Sequence, residues 1–339
     1  MARRLFQAEP DRRDVADEPR RPPTAEDLAA GRKAHRPGDI PARGWWQVLR
    51  RVVREAIDDS LTLVAASCAF YAILALFPAI TVLVSLYGLL LDPAGVERQL
   101  AAVRDVVPAS VYDLLAGRVH ELVTSADRKL GWSLVVGTLL ALWSSMAGTK
   151  AIMTALNVCY EEDEARGFFT FNLVAFLFTL GGIAGISLAL SIIVGVPAVL
   201  SFGFLGTWAA VALRVLSWAL LAAFLVLGLA LLYRYGPSRQ TVKWRWVTPG
   251  SILVALLWLA TSAAFSFYVA NFATYDVTYG SLGTAIVVLM WLYVSALVVL
   301  LGAELNGELE LQTDRDTTSG HSRPMGDRGA FVADHVATS

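Results

Sequence analysis

Charge, histidine and cysteine are all scarce in this 339-residue chain, and each shortage closes off a class of function. Only 17% of residues are Asp, Glu, Lys or Arg, where a soluble domain carries roughly 25%. The four histidines (His35, His120, His321 and His335) are dispersed over the two ends and one connecting segment, so they form no metal centre. Cys68 and Cys159 lie in or at the edge of apolar stretches and read as small hydrophobes, with no disulfide framework between them. Walker A, GxGxxG, HExxH and CxxC sequences are all missing. No cofactor, no metal and no enzymatic activity are therefore expected. The Arg-rich beginning of the chain is the only feature that would suit nucleic acid, and it is mixed with acids, so no nucleic-acid partner is expected either. Residues 1–44 have no early apolar core, which predicts no secretory leader and makes the first apolar span the insertion signal.

What the chain has in quantity is apolar length. Hydrophobic residues make up 56% of it. They gather in six stretches, about 61–91, 132–156, 168–200, 207–232, 247–270 and 281–303. Each supplies the ~20 residues that a helix needs to cross ~30 Å of hydrocarbon. The first, third, fifth and sixth contain no Asp, Glu, Lys or Arg. Lipid offers no partner to backbone N–H and C=O groups, so these stretches must be helical. The expected fold class is all-α: a polytopic membrane protein built as a six-transmembrane-helix bundle, residues 45–311.

The flanks differ. Residues 1–44 and 312–339 lack periodicity and are rich in Arg, Asp, Glu and Pro, which predicts two disordered cytoplasmic tails. Trp45–Ile57 predicts an interfacial helix, with Trp45, Trp46, Leu49, Val52, Val53 and Ile57 on its apolar surface. Arg50, Arg51 and Arg54 supply the cationic surface that suits anionic lipid at the inner interface. Between the first two spans, 92–130 carries Val96, Leu100, Val103 and Val107, then Val111, Leu114 or Leu115, Val119 and Leu122, at helical spacing around Pro108. That pattern predicts an amphipathic helical outer loop. With the N-terminus in the cytoplasm, most of the 28 Lys and Arg residues fall inside, including Arg234, Arg239, Lys243 and Arg245 in one short loop. The positive-inside rule thus predicts both termini in the cytoplasm.

Several residues stand out against this apolar background. Pro78 interrupts the first span; a kink there either lines a cavity or serves packing. Gly181 and Gly185 form a GxxxG pair suited to close helix packing. Lys150 lies eighteen residues after Trp132, about 27 Å down that helix. It either snorkels to headgroups or pairs with Glu304 at the same depth. Arg214, about two turns into the fourth span, either snorkels or meets an anionic headgroup or Asp276. Thr248 and Pro249 read as the N-cap and first position of the fifth span.

Three groups of residues carry a family resemblance. They are Ala65 to Tyr71 with Leu76-Phe77-Pro78; Ala155-Leu156-Asn157-Val158-Cys159-Tyr160 with Glu164 to Phe168; and Tyr279-Gly280-Ser281-Leu282-Gly283 with Trp291-Leu292-Tyr293 and Gly302-Ala303-Glu304-Leu305-Asn306. With Pro249-Gly250 between them, residues 45–311 resemble the YihY/BrkB family of bacterial inner-membrane proteins. The resemblance implies a six-helix protein of the bacterial cytoplasmic membrane, connected with envelope integrity. It directs attention to Asn157, Tyr160 and Arg166 at the inner end of spans two and three. It also marks Tyr279 and Gly280 at the outer entry of the sixth, and Glu304 and Asn306 at its exit. These act as gates or as structural staples, while Gly280, Gly283 and Gly302 permit tight turns or close packing. The family's older name, ribonuclease BN, implies RNA cleavage, but no cluster of His and carboxylate ligands is visible here to support it.

The expected function is transport or export of a lipid-like or amphiphilic substrate, with membrane lipids as partners. A non-transporting scaffold for an envelope assembly is the alternative, and a ribonuclease the reading least supported. No protein partner is named by the sequence; a homo-oligomer and an envelope partner both fit.

Overall fold

The computed structural model describes residues 24–90, 112, 116–117, 132–201, 206–272 and 281–337. The regular structure of the described residues is helical, with one isolated antiparallel bridge, Val242 to Thr318, and no strand among them. Six helices are long and apolar enough to cross a membrane: α3 (Leu61–Leu90), α4 (Trp132–Cys159), α5 (Phe168–Ser201), α6 (Thr207–Tyr235), α7 (Trp244–Phe272) and α8 (Ser281–Leu311). Before them come α1 (Ala25–Ala29) and α2 (Ala42–Asp58), and after them the short α9 (Phe331–Asp334). The outer-loop helices expected within 92–130 lie outside the described residues, apart from helical positions at 112 and 116–117.

Consecutive spanning helices pack side by side, and α8 returns to α3, so the six close into a ring. The α3–α4 contact is the most extensive, and α8 also touches α4. Gly148 lets α4 approach α3 closely: a Cβ there would lie 3.3 Å from the Ala72 Cα. Hydroxyls join the helices where lipid gives them no other partner. The Thr149 and Thr179 hydroxyls meet at 2.8 Å between α4 and α5. Tyr233 of α6 donates to the Val299 carbonyl of α8 at 2.8 Å, and Trp258 Nε1 of α7 donates to Ser295 Oγ of α8 at 3.0 Å.

The main core sits at the end of the bundle that carries both termini. Val48, Leu61, Leu156, Tyr233, Trp246, Leu300 and Leu309 are buried there together. Farther along the bundle the buried clusters are small, one around Val82, Leu142 and Ile183 and another around Met146, Met153 and Ala175. Long apolar side chains on α5, α6 and α7 face outward, among them Leu177, Leu216, Trp218 and Leu256. In hydrocarbon this exposure carries no penalty.

The segments expected to be disordered tails do not run free over their described lengths. Gln312 to Ala337 folds across the termini end, and Thr313, Thr317, Thr318 and Arg328 are buried. Lys243 N–H donates to the Thr317 carbonyl at 2.8 Å and Ser319 N–H to the Thr241 carbonyl at 2.7 Å. Gln312 Nε2 donates to the Ala30 carbonyl at 2.9 Å, so the N-terminal turn, the C-terminal segment and α8 are tied together. Composition alone predicts disorder here because the segment is polar; backbone pairing to neighbouring loops supplies the partners that a hydrophobic face would otherwise provide.

The start of the fifth span also departs from expectation. Helix α7 begins at Trp244, and Pro249 lies inside it. Thr248 is therefore no N-cap; its hydroxyl donates to the Trp244 carbonyl at 2.9 Å, one turn back. The cationic and aromatic residues Trp244, Arg245 and Trp246 extend the helix beyond its apolar stretch.

Candidate functional site

Two arrangements gather polar chemistry in this bundle: a side groove around Lys150, and a polar lock at the termini end.

The groove lies between α3, α4 and α5 and has a volume of about 460 Å³. Val64, Ser67 and Tyr71 of α3 line one side, Lys150, Ala151, Thr154 and Val158 of α4 the other, and Phe171 of α5 the rim. Lys150 stands nine residues from the end of α4, about 13 Å into the helix from the termini end. Its ammonium sits over the Trp143 ring, 4.9 Å from the centroid. Trp143 is two turns farther from the termini end, so Lys150 does not snorkel outward to that surface. Side chains on a helix lean toward its N-terminus, and on α4 that direction leads deeper into the bundle. A cation–π contact of this kind is worth about 0.5–2 kcal/mol and partly replaces the lost hydration.

No ion pair joins Lys150 to Glu304 among the described residues; that expected pairing is not made. Glu304 is 3% exposed, and its Oε1 has no hydrogen-bond partner among the described residues. It packs beside Cys159, and the charges acting on it are Asp59, Glu308 and Glu55.

The polar lock begins at Asn157. Its Nδ2 donates to Glu164 Oε2 at 3.1 Å, and its Oδ1 accepts from Ser238 N–H at 2.8 Å. Arg166 grips the same Glu164 through Nε and Nη2, both at 2.7 Å. Arg166 Nη2 also donates to the Gly236 carbonyl at 2.9 Å. It thus caps the C-terminus of α6, where carbonyls lack intrahelical partners and a cation is favoured. Against the cost of burial, the Arg166 and Asn157 hydrogen bonds hold the Glu164 carboxyl below its usual range.

Tyr160 is fully buried, and the Arg239 guanidinium lies 4.0 Å over its ring. Arg239 in turn pairs with Glu310 at 2.9 Å, both side chains 1% exposed. Glu310 also accepts from the Thr317 hydroxyl at 2.7 Å. The Tyr160 hydroxyl lies beside the Asn306 amide, and neither has a hydrogen-bond partner among the described residues. Asn306 presses on Gly250, where any Cβ would overlap its amide. Gly302 is equally constrained, by Val254 and the Tyr233 hydroxyl.

The remaining sequence candidates fall elsewhere. Gly185 receives the Phe224 ring of α6, whereas nothing lies within 4 Å of a Cβ at Gly181, so the GxxxG pair works through one member. Gly283 is buried and Pro78 half-buried inside α3. Arg214 is exposed on α6 among Val211, Val215 and Trp218. Tyr279, Gly280 and the Asp276 considered as an Arg214 partner lie outside the described residues.

The virulence factor BrkB family model matches residues 52–326, which takes in both the groove and the lock. The chain belongs to the virulence factor BrkB family. A ribonuclease-like protein of Bacillus subtilis (strain 168), YfkH, is 31% identical over 72% of this chain and 88% of that protein. The UPF0761 membrane protein PSHAa0171 of Pseudoalteromonas translucida is 25% identical over 81% of this chain and 88% of its own length. A UPF0761 membrane protein of Photobacterium profundum is 27% identical over 79% and 82%. No solved structure matches. This BrkB family chain is thus a multi-pass membrane protein. The ribonuclease-like label attaches to YfkH alone among these three.

Several residues important to the site are not visible in the sequence. Arg239 and Glu310 pair across 71 positions, and Arg51 bonds Glu308 across 257. Glu55, Asp59 and Glu161 bring their carboxylate oxygens within 4.8 Å of one another. The i,i+4 spacing of Glu55 and Asp59 hints at a shared helix face, but nothing in one sequence ties Glu161 to it.

Proposed function

We propose that this protein moves an amphiphile with an anionic head group across the membrane, through the groove beside Lys150. The groove carries the reading. It combines one deep cation, the hydroxyls of Ser67, Tyr71 and Thr154, and apolar walls. A head group is matched by the first two, and a chain by the walls and by the lipid-facing Leu63, Phe70 and Leu74 nearby. The main core at the termini end and the small clusters beyond it support opening on one side against a fixed base.

The distribution of charge supports the compartment. Arg50, Arg54, Arg166, Arg234 and Lys243 cluster at the termini end, which suits the cytoplasmic face of a bacterial inner membrane. Helix α2 exposes Trp46, Leu49, Val53 and Ile57 beside Arg50 and Arg54, a surface suited to anionic lipid. A scaffold is the second reading, and one observation favours it: Asn157 and Arg166 bond to loop backbone and to Glu164 rather than line the groove.

The test is leaflet-to-leaflet movement of labelled anionic and zwitterionic phospholipids in liposomes holding the purified protein. Wild type is expected to move the anionic probe, and Lys150→Gln to slow it by about tenfold or more, with an unchanged melting temperature. Equal rates in protein-free liposomes would sink the transport reading and favour the scaffold.

A further inference from the structure

We propose that the Lys150 groove takes an anionic phospholipid sideways from the adjoining leaflet, its head group entering the groove while its acyl chains stay in the bilayer. This rests on the reading of the groove as a head-group site and deepens it. The substrate is then a membrane-resident lipid, not an amphiphile delivered through water.

The position of the groove on α4 carries the inference. Leu140, Trp143, Ala147, Lys150, Thr154 and Val158 follow one another at three- and four-residue steps. They therefore form one stripe along the helix. The packing stripe of α4 is a different one. It runs through Leu142, Met146, Met153, Leu156 and Tyr160, all buried, against α5 and the main core. The groove stripe is turned from it by one residue, about 100°. Beyond the groove that stripe exposes Trp143 to 56% and Leu140 to 62%, which on a spanning helix marks the side bathed by lipid. Thr154 on the same stripe is exposed, and so are Ser67 and Tyr71 across the groove on α3. Polar side chains at membrane depth ordinarily turn to the bundle interior. Here they form a slot in its outer wall.

Two further observations name the occupant. The mouth of the groove lies at Val158, next to the last residue of α4. Exposed Phe168 and Phe169 of α5 and Leu63 of α3 stand at the same level, so lipid-suited side chains border the entrance. Inward from the mouth the order is hydroxyl and cation first, at Thr154 and Lys150, then apolar surface at Trp143 and Leu140. A lipid of the leaflet at the termini end presents its head and its chains in that order. Lys150 has no acidic partner among the described residues and rests against the Trp143 ring. A phosphate entering sideways supplies the missing anion.

The experiment puts a thiol in the groove. Thr154→Cys, in the full chain and in phosphatidylcholine vesicles, is offered a maleimide carried on the head group of an anionic phospholipid. Adducts are read from the mass of the intact protein. Each rate is divided by that of N-ethylmaleimide, which corrects for thiol reactivity. Wild type, whose Cys68 and Cys159 are buried, is the blank. The lipid reagent is expected to label Thr154→Cys about tenfold faster than Leu253→Cys, exposed on α7 in the same half of the bilayer. Added Lys150→Gln is expected to remove that advantage. Unlabelled phosphatidylglycerol should compete and extra phosphatidylcholine should not. Should Thr154→Cys fail to fold, Ser67→Cys on the facing wall is the second reporter. Lipid labelling no faster than at Leu253→Cys overturns the proposal, as does labelling that Lys150→Gln leaves unchanged. A water-soluble maleimide sulfonate that labels Thr154→Cys as fast as the lipid reagent also overturns it, because the groove then fills from water. The readout is independent of transport. Lipid-specific labelling without leaflet-to-leaflet movement upholds the lateral site and sinks only the transport reading; movement without such labelling does the reverse.

Discussion

Each unusual residue at the termini end is explained by what presses on it. Glycine at 250 and 302 is required by close side chains, Asn306 in one case and Val254 with Tyr233 in the other. Among the described residues, Asn306 and Glu304 leave buried polar atoms without a hydrogen-bond partner. A group left so costs about 1–3 kcal/mol. Glu55 shows the same tension in its titration. Burial first, then the charges of Glu308, Asp59, Glu161 and Asp58, push its carboxyl from 4.5 up to about 7. The folded protein therefore holds this proton longer than the unfolded chain does. Its contribution to stability is complete below about pH 4.5 and is lost as pH rises to about 7. The side chain is partly solvated, so screening reduces the effect to about 1–2 kcal/mol. Raising pH from 5 to 8 is expected to lower the melting temperature, and Glu55→Gln to flatten that slope. A slope identical in the variant would remove Glu55 from the account.

At the scale of elements, α8 matters most, because it runs past its apolar stretch to Leu311 and carries four polar side chains into the lock. Glu304 and Glu308 turn toward α2 and α3, while Asn306 and Glu310 turn toward α7 and the α6–α7 loop. One helix thus joins both halves of the ring. The Arg239–Glu310 pair is the most deeply buried of these joints, and Tyr160 and Thr317 complete its surroundings. Removing one partner leaves the other charged and buried, a loss of about 3–5 kcal/mol. Arg239→Gln is expected to destabilise the protein by that order in denaturant unfolding, and to expose the C-terminal segment to protease. Replacing both members, Arg239→Met with Glu310→Leu, should recover most of the stability. A single variant as stable as wild type would show that the pair does not hold this end.

Over the whole molecule, what the sequence reveals and what it hides follow one physical division. The six spans are legible because hydrocarbon imposes length and apolarity on every residue of a helix, and α3, α5, α7 and α8 advertise this without a single charge in their apolar stretches. The lock is illegible because it is made by pairs such as Arg239 with Glu310 and Arg51 with Glu308, whose spacing has no local signature. Composition misleads outright for Gln312 to Ala337, where polarity reflects backbone pairing and not disorder. That division also organises stability. Leu300 of α8 is fully buried in the core at the termini end, whereas Leu216 of α6 is 64% exposed to what would be lipid. Leu300→Ala should therefore cost about 2–5 kcal/mol, and Leu216→Ala no more than about 0.5 kcal/mol, since lipid fills the space it leaves. The measurement is denaturant unfolding of both variants in the same micelles. A large gap means that one end is a fixed base on which α5, α6 and the walls of the Lys150 groove can shift at little energetic cost, as a transporter requires. Equal losses would mean that the ring is uniformly rigid, and would move the balance toward a scaffold.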